Sequence, residues 1–143
     1  MNELTPEGVT EPPVVMAVAT SFRSDTTTRV ASVSFDSERL SVLVENAGWE
    51  AEVVFEQIFG FRVLDELDLT RFWSHCSLKV GWLFEVTAGG WMALERTRPD
   101  FHTGALGWAR EFLIVGRDSC VSVMTKEEVS VVPCSLHSRP RKN

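Results

Sequence analysis

His75 and Cys76 are the one adjacent pair in this chain that could supply a nucleophile, because a reactive thiolate needs a basic or positive neighbour. Adjacent residues on a helix point about 100 degrees apart, so neighbours in sequence rarely touch. A buried cysteine beside a surface histidine is the stronger reading. Asp118-Ser119-Cys120 places three reactive types together, yet it has no G-x-S-x-G elbow and no nearby histidine to act as base. Asp and Ser are also ordinary turn formers. His102 and His137 stand apart, with none of the H-x-x-x-H or HExxH spacing of a metal site. Neither a metal nor a cofactor is expected, and Cys76, Cys120 and Cys134 are not read as a catalytic set.

The acids carry more information. Glu50, Glu52 and Glu56 lead into Asp65, Glu66 and Asp68. Paired carboxylates do acid–base work only in a cleft that splits their pKa values, and spacing alone builds no cleft. Concentrated charge of this kind suits a solvated face or a surface presented to a basic partner. Asp65, Glu66 and Asp68 are therefore candidate partner-binding residues. Trp82, Trp91 and Trp108 each follow a glycine, which gives a large ring room to pack. Trp82 reads as core. Trp91 and Trp108 flank a loop and are candidate interface anchors, a role in which Trp is enriched.

These residues need elements to position them. Val53, Phe55, Phe59, Phe61 and Val63 fall on odd positions, as in a half-buried strand ending at the acids, and Gly60 within the segment is read as the mark of a bulge or a bend. Val14–Phe22, Arg29–Phe35, Leu40–Val44, Glu50–Phe55 and Val80–Val86 also read as strands, separated by turn clusters at Ser24–Thr28, Asp36-Ser37 and Asn46-Ala47-Gly48. Leu67, Leu69, Phe72 and Trp73 suit a short amphipathic helix. Trp91–Arg96 (WMALER) fits either a returning strand or one to two helical turns, and its good helix formers favour helix. Arg98–Ala109, with Pro99, Gly104 and Gly107, reads as a loop. The clearest hairpin is Glu111–Val115, a turn over Gly116–Ser119, then Cys120–Met124.

The expected class is α+β: a mainly antiparallel sheet, strongly bent or a half-barrel, with one or two short helices. One domain is expected over residues 1–143, with a flexible lead-in at 1–13 and a polar tail at 133–143.

Composition narrows the function. Among 143 residues, 44% are hydrophobic and 24% charged, the balance of a folded globular chain. A net charge of −6 with scattered lysines argues against nucleic-acid binding, which depends on cations that neutralise phosphates. There is no Tyr, so no phenol is available as acid, base or oxyanion donor. Three distant cysteines suggest reduced thiols and a cytoplasmic setting. The acidic start MNELTPEGVTEPP is unlike a secretory signal, and no apolar run is long enough to span a membrane.

The run VVFEQIFGFRVLDELDL, followed by GWLFEVTAGGW and REFLIVGRDSCVSVM, resembles families of small bacterial proteins of uncharacterised activity. Several of these are similar to immunity proteins encoded beside polymorphic toxins. The resemblance covers about Val53 to Met124 and implies a shared fold; it carries no site residues. The expected function is a cytoplasmic immunity protein that occludes the active site of a cognate toxin, and the acidic character of this chain would suit a toxin with a basic surface. The alternatives from other classes are a small enzyme with an acidic or thiol site, and a structural accessory protein that assembles as a homo-oligomer.

Overall fold

The structure is a computed structural model, and it describes residues 12–67, 69, 77–105 and 107–134. Nine strands and one short α-helix lie within them. The strands are β1 (Val14–Ala17), β2 (Arg29–Phe35), β3 (Arg39–Glu45), β4 (Glu50–Glu56), β5 (Ile58–Asp65), β6 (Leu83–Ala88), β7 (Arg110–Ile114), β8 (Ser119–Thr125) and β9 (Ser130–Pro133). The helix, α1, spans Trp91–Glu95. Every strand pairing is antiparallel.

The strands form two sheets, ordered β1-β6-β7-β8-β5 and β2-β3-β4-β9, and neither closes. The expectation of mainly antiparallel sheet holds, but the class is mainly β rather than α+β. The single bent sheet or half-barrel is replaced by two sheets sharing a core. Leu40, Val42 and Val44 of β3, with Val53 and Phe55 of β4, meet Leu83, Phe112, Ile114, Val121 and Val123 of the other sheet. The Phe55 and Phe112 rings cross the interface 5.9 Å apart. A tilted pair of this kind adds roughly 1 kcal/mol beyond its burial.

The outer face of the five-stranded sheet carries a second apolar cluster, built on Phe84, Val86, Leu113, Val115 and Cys120 and covered in part by Leu69. The helix expected around Leu67, Leu69, Phe72 and Trp73 falls mostly outside the described residues, as do Cys76 and His75.

The run from Val53 to Val63 is not one strand. It breaks at Gln57, whose φ of 52° leaves the extended region, and β4 and β5 belong to different sheets. Phe59 is the extra residue of a bulge, since Ile58 pairs with Thr125 and Gly60 with Met124. Ile58 packs inward before the bulge and Phe61 after it. The corner and the bulge each shift the side-chain alternation by one, so the odd-position pattern reads through both. A second bulge, at Ala31, places Val30 opposite Val44 and Val33 opposite Val42, so both face the core. A uniform alternation would have separated them.

Other expectations hold more closely. The β7–β8 hairpin forms as read, and Trp91–Glu95 is helical. The strand read from Val80 begins at Leu83, and the one read as Val14–Phe22 stops at Ala17. The Arg98–Ala109 loop contains one 3-10 turn at Thr103–Ala105. Strand β9 lies in a stretch to which the sequence assigned no element, and it pairs with β4 from Ala51 to Val54.

Candidate interaction surface

The β5–β8 register locates the sequence candidates. Ile58 and Thr125 lie at one end of the five-stranded sheet, Asp65 and Ser119 at the other. Seven residue steps along β5 separate these ends by about 23 Å. Asp65 and Glu66 therefore do not form one patch with Trp108, which lies beside Phe59.

Asp65 is exposed and ends β5, where its Oδ1 accepts the Leu67 N–H at 2.9 Å. Glu66 is half-buried, and its N–H donates to the Asp118 carbonyl at 3.1 Å. The acidic end thus includes Asp118, from the neighbouring turn. Asp68 lies outside the described residues.

The opposite end is aromatic. Trp108 is 50% exposed, and its ring lies 5.5 Å from that of Phe59, which is 39% exposed. Lys126 Nζ sits 5.4 Å from the Trp108 ring centre. Because Phe59 is the bulged residue, it leaves the inner face and turns this ring to the surface. The sequence identified Trp108 but not Phe59, which its alternation assigned to the core. No local signal marked the bulge except Gly60.

Trp91 is only half-buried, yet it is tied into the fold. Its indole N–H donates to Glu95 Oε2 at 3.0 Å, and the Arg62 guanidinium lies 4.9 Å from its ring centre. Arg62 Nε is buried without a hydrogen-bond partner among the described residues. Burial lowers the Arg62 pKa, partly opposed by the charges of Glu111 and Glu95.

Helix α1 itself depends on Glu111 of β7. The Trp91 N–H donates to Glu111 Oε2 at 2.8 Å and the Met92 N–H to Oε1 at 2.9 Å. A five-residue helix has little stability alone, and its Gly90 cap supplies no side-chain bond. A strand carboxylate therefore does the capping. Gly90 permits this approach, because a Cβ there would lie 2.6 Å from both Glu111 Oε2 and Val86 Cγ1. Glu111 is 3% exposed, and burial raises its pKa despite both N–H bonds and the nearby Arg62 and Arg96 charges.

A buried acid with a raised pKa beside a cleft is a candidate proton donor. The adjoining cleft, about 200 Å³, is lined by Glu85, Arg96, Arg110 and Glu111. Its charges already hold one another: Arg110 grips both Glu85 oxygens, at 2.8 and 2.9 Å, and reaches Glu128 at 3.2 Å. Both Glu111 oxygens hold main-chain N–H groups. The arrangement secures α1, each Glu111 oxygen accepting one of its first N–H groups.

Cys120 lies within β8 of the five-stranded sheet, and Cys134 follows β9 of the four-stranded one. Burial pushes the Cys120 thiol up to about 11, and the charges of Glu66 and Asp65 act in the same direction. Among the described residues, no three His, Cys, Asp or Glu side chains converge as metal ligands do. Nor is any helix long and apolar enough to cross a membrane.

Compared with known proteins, the chain matches no protein-family model, no curated protein and no solved structure.

Proposed function

We propose that this chain is a cytoplasmic immunity protein, binding a cognate bacterial toxin and neutralising it by covering its active site. The exposed Phe59–Trp108 pair with Lys126 carries the reading. Two large rings held at a surface, with a cation over one of them, have the composition of an interface hot spot. Phe59 sits on a bulge of β5 and Trp108 in the loop before β7, and their contact restrains both rings before a partner arrives. The net charge of −6 and the likeness of Val53–Met124 to immunity-type families support the same reading. In this proposal Trp108 and Phe59 make the central contact. Asp65, Glu66 and Asp68 act as the electrostatic guide for a basic partner.

The test is binding to the large protein encoded by the adjacent gene. Tight binding with loss of the partner's toxicity is expected. Trp108→Ala should weaken binding by about 2 kcal/mol or more, mostly through faster dissociation. Absence of binding, or equal binding by the folded Trp108→Ala and Phe59→Ala variants, would remove this reading.

A further inference from the structure

A groove of about 440 Å³ opens beside the end of β1, lined by residues 17–20, 22–24 and 79–82. Its volume is in the range of small-molecule sites, roughly 300–1,000 Å³. It lies at the β1 edge of the five-stranded sheet, and its lining includes no Asp or Glu, although the chain carries −6 overall. It does include two cations, Arg23 and Lys79.

The side-chain partners of the cations set these two apart. Among the described residues, Arg29, Arg39, Arg98, Arg110 and Arg117 are ion-paired. Arg62 and Lys126 lie over Trp rings, and Arg96 donates to Met92 Sδ. Only Arg23 and Lys79 have no ion pair, side-chain hydrogen bond or ring contact among the described residues, and both line this groove.

The backbone beneath them is fixed. The Arg23 carbonyl accepts the Trp49 indole N–H at 2.7 Å and the Asn46 amide at 3.1 Å, while the Phe22 carbonyl accepts the Trp82 indole N–H at 2.8 Å. Ser24 Oγ donates to the Leu78 carbonyl at 2.8 Å, tying the residue after Arg23 to the residue before Lys79. The Lys79 turn closes through Val80 and Gly81 N–H bonds to the Ser77 carbonyl, at 2.9 and 3.0 Å. The nearest acid in sequence, Asp25, is turned into its own loop by the Thr27 N–H and hydroxyl, at 2.8 and 2.6 Å. Two cations without a side-chain partner among the described residues thus line one groove together with Ala17, Ala19 and Val80.

We propose that this groove binds a small organic anion, with a phosphate or carboxylate head between Arg23 and Lys79 and an apolar body against Val80 and Ala17. The site is separate from the aromatic end of the sheet and does not depend on the toxin-binding reading. Two cations lining one groove can recognise such a head by charge-assisted hydrogen bonds.

The experiment is an amide NMR titration of the full chain at low salt with phenyl phosphate, benzoate and inorganic phosphate. At least one aromatic anion should give saturable shifts at residues 18–24 and 79–82, and whichever binds names the head group. Inorganic phosphate should bind more weakly, since it lacks the apolar body. Arg23→Gln with Lys79→Gln should lower the affinity about tenfold or more, because the head group then has no cation in the groove to pair with. The melting temperature should not move, and Arg117→Gln should leave affinity unchanged. Two results would overturn the proposal: no saturable shift by either aromatic anion at roughly 10 mM, well above the ~1 mM expected of a fragment; or equal binding by the double variant.

Discussion

Glu111 combines an acid's charge with burial, and the balance is open to measurement. Burial raises its pKa above the ordinary 4.5, so the folded protein holds this proton more tightly than the unfolded chain does. Its contribution to stability is complete below pH 4.5 and is lost as pH rises through the raised value. Urea unfolding across that window should show wild-type stability falling with pH. Glu111→Gln, which cannot ionise, should remove that fall, while its amide nitrogen, a donor only, leaves one α1 N–H unpaired at a cost of about 1–3 kcal/mol. Glu111→Ala should cost at least about 2 kcal/mol, since it orphans two N–H groups of α1. Should the Gln variant keep the fall with pH, Glu111 is not the group that titrates there. Cys120 gives a second measurement. With its thiol pushed up to about 11, it should react with a thiol reagent at neutral pH only as fast as the protein opens. Cys120→Ser should leave partner binding intact while lowering stability by about 1 kcal/mol or more, through a buried hydroxyl. Fast labelling of Cys120 in the folded state would contradict its burial.

At the scale of elements, the β4–β5 corner and the seat of α1 hold the two decisive local choices. Gln57 adopts φ 52° and passes the chain directly from one sheet to the other. A left-handed residue with a side chain costs roughly 1–2 kcal/mol, and a β-branched one more. Gln57→Val should therefore lower the denaturation midpoint by the equivalent of about 1–2 kcal/mol, whereas Gln57→Gly should be neutral or slightly stabilising. A tolerated valine would mean that the corner does not require this conformation. Helix α1 depends on neighbours more than on its own turns. Gly90→Ala should displace it from Glu111 at a cost of about 1–3 kcal/mol, seen as a lower melting temperature and an altered Trp91 environment.

On the scale of the whole molecule, charge and apolar contact are divided between the two ends of one sheet. The separation of about 23 Å exceeds the Debye length of about 8 Å at physiological salt. Asp65 and Glu66 can guide a partner to the Phe59–Trp108 end only if the interface runs along the sheet. Reversing Asp65 and Glu66 to Lys should then slow association and flatten its salt dependence, leaving dissociation of the same complex nearly unchanged. Stopped-flow kinetics at two salt concentrations decide this. Unchanged rates would make the acidic end a solvated face and leave the aromatic end as the contact.

Much of the fold was legible in the residues. Alternation located most of the strands, the Gly116–Ser119 turn predicted the β7–β8 hairpin, and the helix formers of Trp91–Glu95 favoured α1. These signals are local, because side-chain period and turn chemistry act within a few residues. Sheet membership is not local. That β4 and β5 belong to different sheets, and that β9 joins β4, follows from pairings between distant segments. The bulges at Ala31 and Phe59 concealed two changes of face, because one extra residue reverses a period of two. Candidate Trp108 could be named from its type, but its partner Phe59 only after the bulge was seen. The sequence alone determined an acidic, strand-rich chain with tryptophans beside glycines. Tertiary structure decided which rings reach the surface, that Glu111 caps α1, and that Arg23 and Lys79 share a groove, because each depends on side chains from separate strands and loops meeting in space.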